Sequence, residues 1–146
     1  MATETAEMGR VVADALIESV DDLYRQARGE LAADAVRRVE LRDVLVDTGG
    51  TTLCLPRGTI EALGLQSFGN RVSMTSPGPR KARIFGPVKL TGQGRDCHVD
   101  VLELPDGVPP LIGQIPLEIL DFVVDPPGRR LIGNPQHGGE QMLEMY

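Results

Sequence analysis

Along most of this chain, apolar and polar residues alternate in short runs broken by glycine and proline, a pattern that predicts strands joined by tight turns. The first segment reads two ways. Val12, Leu16, Val20 and Leu23 form the stripe of an amphipathic helix, while Val11, Ala13, Ala15 and Ile17 alternate with Val12, Asp14, Leu16 and Glu18 as a strand covered on both faces does. Periodicity leaves both open. From Val36 the signal clears: Val39, Glu40, Leu41 and Arg42 alternate before the apolar run Val44-Leu45-Val46, which predicts a strand that ends at Asp47-Thr48-Gly49-Gly50. Thr51 to Leu55 predicts a second short strand. Pro56 suits a first helical turn and Gly64 its C-terminal stop, so a helix is expected over about 56–64.

Further on, Arg71–Met74 and Arg80–Phe85 flank the turn-rich Thr75-Ser76-Pro77-Gly78-Pro79, a hairpin. A second hairpin turns at Gly92-Gln93-Gly94, after which Cys97, Val99 and Val101 alternate with His98 and Asp100. A loop over Pro105–Pro110 leads to Leu111-Ile112-Gly113 and a helical turn over about 116–121. Val123–Asp125 and Arg130–Ile132 form a last hairpin about Pro126-Pro127-Gly128. The tail from Asn134 has no period. The expected organisation is a disordered leader over 1–8, one domain over 9–135 and a C-terminal tail over 136–146.

Composition narrows the function classes. A length of 146 residues suits one domain and excludes a self-contained two-lobed enzyme. Leu, Ile, Val and Phe exceed a quarter of the chain, enough for an aliphatic core. A net charge of −6 with three Phe, two Tyr and no Trp argues against nucleic acid as a partner, since phosphate is repelled and base-stacking surface is scarce. No apolar run is long enough to span a bilayer and the N-terminus is polar and acidic, so the chain reads as soluble and cytoplasmic, with no membrane partner. Cys54 and Cys97 have no CxxC spacing and sit among apolar neighbours, which predicts two buried free thiols. Strand alternation sets Cys97 on the opposite face from His98 and Asp100, so these do not form a metal site; no metal or cofactor is expected.

Phosphate-loop, dinucleotide, zinc-protease and serine-hydrolase signatures are all missing from the sequence. What remains is Asp47, a carboxylate closing an apolar run, followed by a hydroxyl and two glycines that let backbone approach closely. As a turn residue, Asp47 would be unremarkable.

The ordered series Val44-Leu45-Val46-Asp47-Thr48-Gly49, a Gly/Pro-tipped hairpin, Leu111-Ile112-Gly113-Gln114-Ile115-Pro116-Leu117 and Val123-Val124-Asp125-Pro126 resembles the retropepsin-like aspartic proteases, particularly their small bacterial members. The resemblance covers about Val36 to Pro135. It implies an all-β, closed barrel of short strands with a flap hairpin and one or two short helices, and it favours a strand near Arg10–Ser19. It further implies that Asp47 is catalytic and that Thr48, Gly49 and Gly50 support the active-site loop. Thr51, Met74, Thr75, Ser76, Pro77, Gly78 and Leu111 would bind substrate, with Ile112 and Gly113 packing behind the loop.

Three departures stand out. Gly50 replaces the family's usual Ala or Ser and adds backbone freedom, while Thr51 and Gln114 stand where retroviral members carry an acid–arginine pair. Pro77 and Pro79 stiffen the hairpin tip.

Aspartic proteolysis needs two carboxylates sharing a proton, and this chain has one Asp-Thr/Ser-Gly tripeptide. The implied enzyme is therefore a homodimeric aspartic endopeptidase acting on polypeptide through an Asp47/Asp47′ dyad. The alternative is a non-catalytic dimer of the same fold that binds an extended peptide or partner protein.

Overall fold

The structure, a computed structural model, describes residues 10–75, 78–105 and 107–142, with the backbone alone at 73–75. The expected leader, the hairpin tip residues Ser76 and Pro77, and the tail end 143–146 lie outside the described residues.

Both periods at the N-terminus are used, one after the other. Strand β1 runs Val11–Ser19 and helix α1 follows directly over Val20–Ala27. Ser19 makes the switch: its hydroxyl accepts from the Asp22 N–H at 3.2 Å, capping the helix. The Asp22 carboxylate in turn accepts from the Arg37 N–H at 2.9 Å and from Arg37 Nε and Nη2 at 2.8 and 2.9 Å. Helix α1, which the sequence reading did not separate from the strand, is thus tied down by a partner 15 residues away.

Strand β2 (Arg38–Val46) pairs antiparallel with β1. The register shifts between Ala13 and Ala15, opposite Asp43, whose φ is 53° and whose N–H donates to Asp14 Oδ1 at 3.0 Å. This bulge sends Val44 and Val46 into the core and lets Asp47 emerge from it. Strand β3 (Leu53–Pro56), helix α2 (Arg57–Ala62), strands β4 (Ser67–Thr75), β5 (Gly78–Gly92), β6 (Arg95–Leu104) and β7 (Leu111–Ile112), helix α3 (Gln114–Leu120), and strands β8 (Phe122–Asp125) and β9 (Arg130–Gly133) follow. Both expected helices are present with shifted ends. Helix α2 starts one residue later than expected because Pro56 is still strand, while α3 starts at Gln114 because the Gln114 and Ile115 N–H groups bond back to Gly50 O and Thr51 O.

The fold is all-β. Strands pair in the order β1-β2-β7-β3-β6-β5, and β5 pairs again with β1, so six strands form a closed circuit. Closure gives each of these six a partner on both sides over part of its length. Inside it Ile17, Leu53, Leu55, Val88, Leu90 and Val101 are almost completely buried, each contributing about 1.5–3 kcal/mol of burial free energy. Strand β4 hangs outside the circuit. It pairs with β5 alone among the described residues, so the β4–β5 hairpin projects as an arm.

The tail lies on its own chain as far as it is described. Asp121, the left-handed residue closing α3, accepts from Asn134 Nδ2 at 3.3 Å and from the Met142 N–H at 3.0 Å, and pairs with His137 Nδ1 at 2.5 Å. These contacts hold the Asp121 carboxyl below its usual range, the His137 bond first. Arg95 adds bonds to the Leu120, Asp121 and Gly139 carbonyls.

Candidate active site

Asp47 leaves the end of β2 where the neighbouring strand is only two residues long. Its N–H bonds to Ile112 O at 3.0 Å, its carbonyl accepts from the Gly50 N–H at 3.0 Å, and its Oδ1 accepts from the Gly49 N–H at 2.8 Å. The side chain is therefore oriented by its own loop. Asp47, Thr48, Gly49 and Thr51 are exposed, while Val46, Thr52 and Ile112 on either side are buried.

Two backbones cross behind this loop with no space for side chains. A Cβ on Gly113 would lie 2.7 Å from Gly50 C and from Thr52 O, and one on Gly50 would lie 2.8 Å from Leu111 Cδ2. Hydrogen bonds stitch the crossing: Gly113 N–H to Thr52 O at 3.0 Å, then Gln114 and Ile115 N–H to Gly50 O and Thr51 O, both at 2.8 Å. Gly50, read from sequence as added freedom, is packed against Leu111 and pinned at its carbonyl. Ile112 and Gly113 stand behind the loop, and the half-buried Leu111 reaches Gly50.

Beside the loop lies a cleft of about 830 Å³. Gly49, Gly50, Thr51 and Thr52 line one side, Arg71, Val72 and Ile84 of the projecting hairpin another, and His98 and Asp100 of β6 a third. Of the hairpin residues expected to bind substrate, Met74 and Thr75 are described only in backbone and Gly78 pairs with Thr75 at the start of β5. Ser76 and Pro77 lie outside the described residues.

Arg71, Val72, Ile84, His98, Asp100, Ile115 and Ile119 join the cleft without having been singled out for it. For His98 and Asp100 the signal was present, since alternation set them opposite Cys97, which is buried while they are exposed. The two thiols part company. Cys54 is half-buried and lines the cleft, correcting the expectation of two equivalent buried thiols. Burial first and the nearby Asp47 charge second push its thiol up to about 11; burial, with a lesser effect of Asp96, does the same for Cys97.

No protein-family model and no curated protein matches the chain. Among solved structures it is similar to the EIAV protease in complex with the inhibitor HBY-793, at 17% identity over 92% of this chain and 93% of that one, with a TM-score of 0.49. It is also similar to the simian foamy virus (mac) protease, at 16% identity over 75% of this chain and 93% of that one, with a TM-score of 0.44. The chain's own order of elements, a strand ending in Asp-Thr-Gly, a projecting hairpin, and a Leu-Ile-Gly strand crossing behind the loop into a short helix, agrees with the fold that the sequence resemblance to retropepsin-like proteases implies.

Proposed function

We propose that the protein is an aspartic endopeptidase whose active site forms when the Asp47 loops of two identical chains meet. The observation that carries this reading is a carboxylate held by the Gly49 N–H at 2.8 Å on an exposed loop, braced from behind by Ile112 and Gly113 and flanked by an open cleft. One carboxylate cannot act as both base and acid towards the same bond. A second copy supplies the other across a two-fold axis.

In the dyad one Asp47 is ionised and takes a proton from the attacking water, while the other is protonated and donates to the scissile carbonyl oxygen. The resulting tetrahedral diol collapses as the amide nitrogen accepts a proton and leaves, with no covalent intermediate on the protein. An extended peptide suits the cleft because the projecting hairpin and the loop can both offer backbone groups to it.

The test is Asp47→Asn. Asn retains an oxygen for the Gly49 N–H, so the variant should fold and sediment as the native protein does, yet lose cleavage of a peptide library between pH 4 and pH 7. Undiminished cleavage would overturn the assignment. Peptide binding without turnover by the native protein at every pH would assign the fold to binding instead.

A further inference from the structure

The hairpin arm differs in charge from the rest of the chain. Ser67–Phe85 holds Arg71, Arg80, Lys81 and Arg83 and none of the 21 acidic residues of this net −6 chain. Arg83 is satisfied, bonding Glu103 at 3.0 and 2.7 Å, with Arg57 on the same carboxylate. Arg71 has only a 3.0 Å bond to the carbonyl of its neighbour Asn70, and neither it nor Arg80 nor Lys81 has an acidic partner among the described residues.

Register decides where these charges stand. Arg71 lies opposite Ala82 and Arg80 opposite position 73, so alternation puts Arg71, Arg80, Ala82 and Ile84 on one face of the arm. Arg71 and Ile84 of this face line the cleft, together with Val72, and Arg80 and Ala82 line the adjoining pocket that shares Cys54 and Leu102 with it. Two guanidinium groups on one face, without a carboxylate of their own, raise the potential locally until an anion arrives. The acid lining the cleft is Asp100 on β6, which stands beside Gly86 at the base of the arm, while Arg71 and Arg80 lie further out along it. At physiological salt the field reaches only about 8 Å, so the arm acts on what lies in the cleft and does not offset the negative charge of the whole chain.

We infer that the arm selects acidic peptides: Arg71 and Arg80 bind Glu or Asp side chains of an extended polypeptide that runs from the cleft into the adjoining pocket. This rests on the cleft being a peptide site, as proposed above, and adds the substrate's charge. Arginine suits the role because its fork pairs a carboxylate through two hydrogen bonds.

The experiment uses Asp47→Asn full-length protein, which holds peptide without the proposed cleavage, and fluorescence anisotropy with peptides bearing one neutral dye. One peptide alternates Leu with Glu, a second replaces each Glu by Gln, and a third is a ten-residue oligothymidylate. At 50 mM salt the Glu peptide should bind about tenfold more tightly than the Gln peptide, a preference that shrinks at 500 mM. Arg71→Glu/Arg80→Glu should abolish the preference. Arg10→Glu/Arg42→Glu, which changes net charge equally at exposed sites away from the arm, should retain it, and melting curves check that both variants are folded.

Equal binding of Glu and Gln peptides, or equal loss in both double variants, would overturn the inference while leaving the protease reading intact. Oligothymidylate binding as tightly as the Glu peptide would overturn it in favour of a general polyanion site. If no peptide binds, the inference falls together with the peptide reading, whereas an active Asp47→Asn enzyme that keeps the Glu preference would refute only the catalytic assignment.

Discussion

Placing alanine at Gly113 probes the crossing that orients Asp47. The Gly113 backbone, at φ −93° and ψ −170°, is one that alanine adopts freely, so any cost comes from contact and not from conformation. The new Cβ would meet Gly50 C at 2.7 Å, Thr52 O at 2.7 Å and Gly50 O at 2.8 Å, all backbone atoms that no rotamer change can remove. Relief requires the β7–α3 junction and the Asp47 loop to separate, stretching the bonds from Gly113, Gln114 and Ile115 to Thr52, Gly50 and Thr51. Overpacking of this kind costs about 1–3 kcal/mol and one weakened hydrogen bond about 1 kcal/mol more, giving a destabilisation of about 3 kcal/mol. With an m-value of about 2 kcal/mol/M, the urea midpoint should fall by roughly 1.5 M. Two comparisons calibrate the result. At Gly50 the closest atom is the Leu111 Cδ2, a side-chain end that can move, so Gly50→Ala should cost only about 1 kcal/mol. At Gly58, in the first turn of α2, a Cβ meets nothing within 4 Å, so Gly58→Ala should stabilise by about 0.5 kcal/mol. A Gly113→Ala midpoint equal to or above that of Gly58→Ala would refute the packing account of the loop.

Three other outcomes are expected. Arg37 holds Asp22 down to about 2, below its unfolded value near 3.9, so the pair's contribution of about 2 kcal/mol is complete above that value and lost as pH falls towards 2; Asp22→Asn should be destabilising at pH 7 and nearly neutral at pH 2 in urea melts, and an equal cost at both would exclude this linkage. His137→Ala removes one of the bonds by which Asp121 holds the tail, so amide exchange at Met142 should quicken severalfold by NMR while Leu53 and Val101 stay protected; uniform quickening would point to global destabilisation instead. With both thiols pushed up to about 11, iodoacetamide at pH 7.5 should label Cys54 and Cys97 far more slowly than a free cysteine peptide, and rapid labelling of Cys54 would mean its thiolate is stabilised in the cleft.

Much of this architecture is local in origin and therefore legible along the chain. The strand ending at Val46, the hairpins turning near Gly78 and Gly94, the proline-started helix α2 and the Asp47-Thr48-Gly49 loop all follow from alternation, turn residues and one short motif, because each depends on neighbours within a few positions. What needed the third dimension is long-range. Helix α1 depends on Arg37 reaching back to Asp22, and the choice between strand and helix over Val11–Leu23 is made at Ser19 by that contact. Gly50 looks in the sequence like a loose residue, and only its packing against Leu111 shows a site with little room for a Cβ. The cleft likewise assembles from the Asp47 loop, β4, β5 and β6, segments whose side chains meet only when β5 pairs with both β1 and β6 and the sheet closes. The sequence alone determined where a carboxylate stands before a glycine turn, since that is a matter of order. Tertiary structure decided what surrounds it, since distances between residues far apart in the chain are set by strand register and packing.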